Sequence, residues 1–210
     1  MSDQWRKRWQ EGRIGFHQQQ THPALMRHWN SLNIASRTKV LVPLCGMSLD
    51  MRWLADEGYP VLGIELAPEA IEQFLAQRST SVSRYRQAGF TISRQGNVEL
   101  WCGDFFHLHI QHAAEVGAFY DRASLIALPP ATRQRYSFHL AQLVPPGAKG
   151  LLISLSHNEG ESGPPYSVPA NEIERLFTPN FALTFLEEGL PDERGRIESI
   201  WGLERRGPRL

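Results

Sequence analysis

Short apolar runs and amphipathic stretches follow one another through the first half of the chain and predict alternating strands and helices. Lys39–Leu44 and Pro60–Glu65 are apolar runs that predict two buried strands. Ser48–Glu57 lies between them with apolar residues at helical spacing, and Ser48 and Gly58 suit an N-cap and a helix stop. Because the connections are short, this strand–helix–strand order predicts a parallel sheet.

The same periodicities predict further elements along the rest of the chain. The additional predicted helices are residues 3–10, a helix opening at His22-Pro23, a helix opening at Pro68, Pro130–Leu143 and Asn171–Phe177. The additional predicted strands are a hairpin of Phe90–Ser93 with Asn97–Cys102, then Ala118–Arg122, Gly150–Ser156, Phe181–Glu187 and Ile200–Glu204. Residues 158–169 are rich in Gly, Pro and Ser, and we expect a loop over a site because a helix follows them.

Length and composition predict one globular domain over residues 1–210. Within it, we expect an N-terminal helical lid segment over 1–36 and a Rossmann-like core over 37–210. The chain has 22 Lys and Arg against 22 Asp and Glu, so its net charge offers no general attraction to nucleic acid or an anionic membrane. Its polar N-terminus lacks the apolar core of a signal peptide, and no run is long enough to span a bilayer. The two cysteines have no metal-like spacing, so we expect a reduced, cytoplasmic protein.

The loop after the first predicted strand indicates which cofactor the chain can hold. Residues 43–48 contain a single glycine, Gly46, so the loop lacks both the G-x-G-x-x-G of dinucleotide sites and the lysine of a phosphate-binding P-loop. Glu65 ends the second strand about twenty residues further on, where an acidic side chain accepts hydrogen bonds from ribose hydroxyls. This combination favours a nucleoside cofactor without phosphates, of which S-adenosylmethionine is the commonest. It disfavours a dinucleotide-dependent oxidoreductase.

Trp5, Trp9 and Phe16 are three aromatic residues in the N-terminal segment, outside the predicted sheet. Aromatic faces stabilise a cationic centre such as a sulfonium, so this segment is suited to close over the cofactor as a lid. Trp5 and Trp9 also lie one helical turn apart, and ordinary packing of an added helix is the alternative.

Two other groups of reactive residues have simpler interpretations. Cys45 lies in the glycine-poor loop without an adjacent basic partner, which favours a small buried residue over a nucleophile. His107, His109 and His112 have no Cys or carboxylate neighbours at ligand spacing, so no metal site is expected.

Ordered motifs along nearly the whole chain carry a family resemblance. They are W-x-x-x-W at Trp5 and Trp9, GFH at 15–17, HP at 22–23, VLVPLCGMSLDMRWLADEGYPVLGIE at 40–65, CGDFF at 102–106, DRASLIALP at 121–129, GPPYSVP at 163–169 and EIERLF at 172–177. The chain resembles a bacterial member of the thiopurine S-methyltransferase family. The resemblance implies an α/β, Rossmann-like class I methyltransferase fold: a seven-stranded, mostly parallel sheet with helices on both faces and one antiparallel strand near the C-terminus.

The resemblance also implies two sets of site residues. The cofactor set is Trp5, Trp9, Leu44, Glu65, Asp104, Phe105 and Arg122. The acceptor set is Phe16, Arg122, Pro164, Pro165 and Arg194. Within the cofactor set, Leu44 is expected at the methionine part, Glu65 at the ribose hydroxyls, and Asp104 with Phe105 beside the adenine.

Two assignments have alternatives. The resemblance places Arg122 near both cofactor and acceptor. Our hypothesis is that it favours a thiolate electrostatically as the one catalytic side chain, and a structural ion pair with Asp121 or another carboxylate is the alternative. Arg196 is the alternative to Arg194 because the spacing to the last predicted strand differs from the family pattern.

The function implied by the resemblance is S-adenosylmethionine-dependent S-methylation of an aromatic or heterocyclic thiol such as a thiopurine. Selenium or tellurium compounds are further implied acceptors, which would connect the activity to detoxification and metalloid resistance. A small-molecule O- or N-methyltransferase of the same fold and a non-catalytic S-adenosylmethionine-binding module are the alternatives. The expected partners are the cofactor and a small-molecule acceptor, with no nucleic acid, no membrane, no metal and a monomeric chain.

Overall fold

A computed structural model describes residues 2–13, 17–158 and 163–207 of the chain. Contacts divide the chain into two compact units. The first comprises Met1–Arg27 and Ala35–Leu108, and the second comprises His28–Ile34 and His109–Leu210. The single domain over residues 1–210 stays a prediction.

The first unit contains a sheet whose strands mostly begin and end where the apolar runs predict. Its helices are α1 (Ser2–Gln10), α2 (Pro23–His28, reaching the unit boundary), α3 (Asp50–Asp56) and α4 (Pro68–Ala76). Its strands are β1 (Lys39–Val42), β2 (Val61–Glu65), β3 (Ser83–Gln87), β4 (Phe90–Gln95) and β5 (Val98–Cys102), in the spatial order β3-β4-β5-β2-β1. A 3-10 turn over Phe105–His107 follows β5.

Parallel pairing brings the carboxyl ends of three strands to one edge of this sheet. β1 pairs with β2 in parallel, and β2 pairs with β5 in parallel with Glu65 opposite Cys102. The loops that leave β1, β2 and β5 therefore emerge side by side. In open α/β sheets this is the edge where ligands bind.

The second unit contains β6 (Val116–Arg122), β7 (Lys149–Ser156), β8 (Phe181–Glu188) and β9 (Ile197–Arg205), in the order β6-β7-β9-β8. Its helices are α5 (Ser124–Ala127), α6 (Pro130–Leu143) and α7 (Ala170–Phe177), with 3-10 turns over Trp29–Leu32 and Ile110–Ala113. β6 and β7 are parallel, whereas β9 runs antiparallel to both β7 and β8. The predicted antiparallel strand near the C-terminus is confirmed.

The strand count differs from the prediction, because the described residues contain nine strands rather than seven. Relative to the seven strands that the resemblance implies, β3 and β4 are additional and add an antiparallel edge next to β5. β4 with β5 is the hairpin that the sequence predicted, so only β3 was not predicted. β2 is buried at all five positions, and its apolar run made it visible in the sequence. All five residues of β3 are exposed, so no apolar alternation marks it.

The start of α3 also differs from its prediction. The helix begins at Asp50 with Leu49 as its N-cap, not at Ser48. Ser48 still accepts a hydrogen bond, because its Oγ lies 3.3 Å from the Asp50 amide nitrogen. Gly58 follows the helix end with a φ of +89°, and its N–H donates to the Ala55 carbonyl as expected of a helix stop. Within the described residues, no helix combines the length and the apolar composition needed to span a bilayer.

Candidate cofactor and acceptor sites

Glu65 is the last residue of β2, and its carboxylate is buried with 7% exposure. Its Oε2 accepts the amide of Gly46 and its Oε1 accepts the amide of Ala67, each at 2.8 Å. Burial raises the pKa of the Glu65 carboxyl, while these two backbone hydrogen bonds oppose the rise. Each oxygen has lone pairs beyond the one used, so the carboxylate can also accept hydrogen bonds from two adjacent hydroxyls.

The loop after β1 owes its shape to two residues with positive φ. Leu44 has a φ of +47° and Gly46 a φ of +53°, and the Cys45 N–H between them donates to the Ile64 carbonyl at 2.9 Å. A Cβ at position 46 would lie 3.3 Å from Cζ2 of Trp9. Gly46 is therefore needed for a left-handed backbone and for close contact with an indole.

Trp9 brings the N-terminal helix onto this loop. Its indole is buried with 4% exposure and contacts the position of Gly46. Trp5, one turn earlier, is half-buried, and the Arg8 guanidinium carbon lies 5.3 Å from the centre of its ring. Phe16, the third aromatic residue of the predicted lid, lies outside the described residues.

The end of β5 lies beside Glu65, because the Gly103 N–H donates to the Glu65 carbonyl at 2.9 Å. Asp104 follows, and its Oδ1 accepts the Phe106 amide at 2.9 Å, which caps the 3-10 turn. One Asp104 oxygen is thus engaged in holding the backbone turn. The Phe105 ring is buried and meets the Phe106 ring edge to face at 5.8 Å.

The residues of the first unit fit S-adenosylmethionine. Glu65 offers a buried acceptor pair for the ribose, and Trp9 offers an aromatic surface directly against the loop that contains Leu44. The loop contains a single glycine and no cluster of cations that could bind phosphates. This agrees with a cofactor that carries no phosphate.

Arg122 lies in the second unit as the last residue of β6 and is half-buried. Its neighbour Asp121 is fully buried and accepts hydrogen bonds from the Tyr136 hydroxyl at 2.6 Å and the Ser124 amide at 3.3 Å. Burial raises the pKa of Asp121 to about 6. Successive residues on a strand point to opposite faces of the sheet, which disfavours an ion pair between Arg122 and Asp121. The alternative of an ion pair between Arg122 and another carboxylate stays a prediction. Ala123 then turns the chain with a φ of +72°.

Pro164 and Pro165 lie in the loop that precedes α7, the first buried and the second half-buried. A backbone hydrogen bond anchors the centre of this loop, because the Tyr166 N–H donates to the Ile126 carbonyl at 2.7 Å. His157 Nε2 lies 3.0 Å from the Pro165 carbonyl oxygen.

Arg194 and Arg196, the two candidate arginines of the acceptor site, both interact with Asp192, but through different atoms. The Arg194 amide donates to Asp192 Oδ1 at 2.8 Å, and the Arg194 side chain is exposed. The Arg196 guanidinium pairs with Asp192 at 2.7 Å and lowers the pKa of that carboxyl to about 2. The choice between the two arginines at the acceptor stays a prediction.

The two cysteines of the first unit are free thiols. Burial raises the pKa of Cys45 well above its ordinary value, with the Glu65 charge acting in the same direction. Cys45 is therefore a protonated, packed thiol, which agrees with the structural interpretation of this residue. Within the described residues, no group of three or more His, Cys, Asp or Glu side chains is placed to hold a metal ion.

Sequence reasoning missed the contribution of Tyr136, which hydrogen-bonds Asp121, and the contact between Trp9 and Gly46. Tyr136 lies in a helix with no local signal of a buried partner. The single glycine of the loop was the only sequence signal for the contact between Trp9 and Gly46, and it did not show that the partner would be the Trp9 indole.

The α/β sheet, with a buried carboxylate where its parallel strands end, has the fold of solved S-adenosylmethionine-dependent methyltransferases. The fold agrees with that of 1,6-didemethyltoxoflavin-N1-methyltransferase from Burkholderia thailandensis, solved with bound 1,6-didemethyltoxoflavin and S-adenosylhomocysteine. The TM-score is 0.70 and the identity 15%, covering 98% of this chain and 87% of that one.

The sequence comparisons are more specific than the fold. The family model of thiopurine S-methyltransferase matches residues 1–205. A probable thiopurine S-methyltransferase of Yarrowia lipolytica is 44% identical over 96% of this chain and 95% of its own length. A thiopurine S-methyltransferase of Azotobacter vinelandii is 42% identical over 97% of this chain and 99% of its own length. The chain belongs to the thiopurine S-methyltransferase family, which confirms the resemblance, the enzyme class and the cofactor.

Proposed function

We propose that the chain transfers the methyl group of S-adenosylmethionine to the sulfur of an aromatic or heterocyclic thiol such as a thiopurine. The observation that carries the proposal is the family match over residues 1–205. The buried Glu65 carboxylate, with both oxygens held by backbone amides, supports it by offering a preorganised ribose acceptor.

The proposed cofactor site uses the first unit. Glu65 accepts the ribose hydroxyls, Leu44 lies at the methionine part, and Asp104 with Phe105 borders the adenine. Trp5 and Trp9 cover the loop and exclude water, with Trp9 already packed against Gly46. The bound cofactor supplies an electrophilic methyl group on a sulfonium.

The proposed acceptor site uses Phe16, Arg122, Pro164, Pro165 and Arg194. A thiol is partly ionised near neutral pH, so this reaction needs alignment and desolvation more than a general base. Arg122, which the resemblance assigns to both the cofactor set and the acceptor set, favours the thiolate electrostatically. Arg122→Ala is then expected to lower turnover more than it weakens cofactor binding, and the reverse pattern would contradict the catalytic role.

The finer assignments form part of the same proposal. Selenium and tellurium compounds are further acceptors with soft nucleophilic atoms, which would place the activity in detoxification and metalloid resistance. We propose a monomer that acts on small molecules without nucleic acid, in a reducing cytoplasm. The free thiols of Cys45 and Cys102 support the reducing compartment.

The test is methyl transfer from labelled S-adenosylmethionine to 6-mercaptopurine, with selenite in parallel, in the wild type and in Glu65→Ala. Loss of two hydrogen bonds to a charged group, each about 1.5–3 kcal/mol, should weaken cofactor binding on the order of a hundredfold or more. Glu99→Ala is the matched control. Glu99 is an equally buried glutamate on the neighbouring strand, but it pairs with Leu62 and bonds Trp101 and Arg94, away from the carboxyl edge.

Three outcomes separate the alternatives. Thiol methylation that is lost in Glu65→Ala and retained in Glu99→Ala supports the function and the ribose role together. Cofactor binding without thiol turnover would overturn the thiol acceptor and favour an O- or N-acceptor or a non-catalytic module. Absence of cofactor binding in the wild type would overturn the cofactor site.

A further inference from the structure

Arg133 is a charged side chain in the interior of the second unit. It lies in the first turn of α6 and is only 1% exposed. A buried guanidinium is costly unless it is hydrogen-bonded and paired. Its Nε donates to the Leu128 carbonyl at 3.0 Å, and its Nη1 donates to the Ser167 carbonyl at 3.1 Å and to Glu172 Oε2 at 2.7 Å.

These partners connect Arg133 to the loop that contains Pro164 and Pro165. Ser167 belongs to this loop, and Glu172 lies in the first turn of α7, which follows it. The loop also bonds the segment that Arg133 holds at Leu128, because the Tyr166 N–H donates to the Ile126 carbonyl at 2.7 Å. Arg133 and the loop are therefore fastened to the same short stretch after β6.

The Tyr166 ring extends this connection to the start of the loop. The ring centre lies 5.8 Å from the Arg133 guanidinium carbon, within the range of a cation–π interaction. Arg133 Nη2 is buried and has no hydrogen-bond partner among the described residues, so the ring face compensates part of its charge. The ring also lies so close to Gly163 that a Cβ there would be 2.3 Å from it.

We propose that Arg133 is a positioning residue for the acceptor loop, residues 163–168, and acts through Ser167, Tyr166 and Glu172. The proposal rests on the proposed function, in which Pro164 and Pro165 contact the acceptor thiol. At 1% exposure Arg133 itself does not meet the acceptor. It holds the loop backbone in the shape that the acceptor requires, and small displacements of such positioning elements have large kinetic effects.

The test compares the wild type with Arg133→Met, Glu172→Gln and a matched control, Arg205→Met. Arg205 also joins α6 to the turn between α7 and β8, because it donates to the Ala141 and Asn180 carbonyls, and its guanidinium carbon lies 5.9 Å from the Phe181 ring centre. Its recorded hydrogen bonds reach no residue of the acceptor loop within the described part of the chain. Glu172→Gln keeps an acceptor for Arg133 but removes the charge, so it tests the proposal even where Arg133→Met does not fold.

Three quantities are measured for each variant: hydrogen exchange of the peptide that spans residues 163–172, kcat and KM for 6-mercaptopurine, and the calorimetric Kd for S-adenosylhomocysteine. In Arg133→Met we expect the loop amides to exchange roughly tenfold faster than in the wild type, or faster still. Acceptor kcat/KM should fall on the order of tenfold to a hundredfold, mainly through KM, while the cofactor Kd stays within about twofold. Glu172→Gln should change the same quantities less, and Arg205→Met should lower the melting temperature alone.

The proposal is overturned if loop exchange and the acceptor KM stay at wild-type values in Glu172→Gln. If Arg133→Met folds, the same must hold for that variant. It is also overturned if Arg205→Met reproduces the whole pattern, because Arg133 would then be an ordinary structural arginine. A wild type that methylates no thiol would refute the proposed function alone. The exchange measurement would still decide whether Arg133 holds the loop.

Discussion

Replacing Asp121 with asparagine should remove a pH dependence from the folding stability. Asp121 is fully buried near the end of β6, and desolvation raises its pKa from 3.8 to about 6. The Tyr136 hydroxyl and the Ser124 amide donate to the carboxylate but do not cancel that rise. The folded protein therefore keeps a proton on Asp121 at pH values where the unfolded chain has already lost it.

The size and sign follow from proton linkage. A shift of about two pKa units corresponds to about 3 kcal/mol of unfolding free energy, at 1.36 kcal/mol per unit. Because the folded pKa is the higher one, this stability is fully present below the unfolded pKa of 3.8 and is lost as the pH rises through about 6. The wild type should therefore lose about 3 kcal/mol relative to Asp121→Asn between about pH 4 and pH 7.

The assay is urea unfolding of both proteins across that pH range. Asparagine suits the site, because its Oδ1 can accept the Ser124 amide while its Nδ2 donates to the Tyr136 oxygen. Burial also raises the pKa of Glu65, so the difference between the two proteins, rather than the wild-type slope, isolates Asp121. Parallel stability curves for the two proteins would refute the assignment of a raised pKa to Asp121.

Two glycines allow further predictions. Gly46→Ala forces a side chain into a φ of +53° and 3.3 Å from Trp9, and should cost roughly 1–2 kcal/mol of stability and weaken cofactor binding by calorimetry. Gly147→Ala has a similar positive φ with open space around it, so equal cofactor losses in both variants would contradict the Trp9 contact. Gly163→Ala would place a Cβ 2.3 Å from the Tyr166 ring, and should raise the acceptor KM while the cofactor Kd stays unchanged. A cofactor Kd that weakens as much as the acceptor KM would refute a local effect on the loop.

Much of the fold was predictable because burial leaves a local pattern. β2 is one residue shorter than its predicted run, and its burial at all five positions requires continuous apolar residues. β3 escaped prediction for the opposite reason, since an edge strand with both faces in water has no apolar period. The start of α3 was missed by two residues because Ser48 bonds the Asp50 amide from just outside the helix.

The sequence by itself indicated the cofactor class and the alternation of strands and helices that makes the core sheet parallel. A loop with one glycine followed by a strand-end carboxylate is a local feature, and it disfavoured a pyrophosphate ligand and identified Glu65 as a candidate site residue. Only the tertiary structure decided what surrounds these residues. Three contacts join residues that are far apart in the chain. They are the packing of the Trp9 indole against Gly46, the hydrogen bond from the Tyr136 hydroxyl to Asp121, and the hydrogen bond from Arg133 to Ser167 of the acceptor loop. Such contacts have no period to recognise, and the burial that sets their energies exists only once the chain is packed.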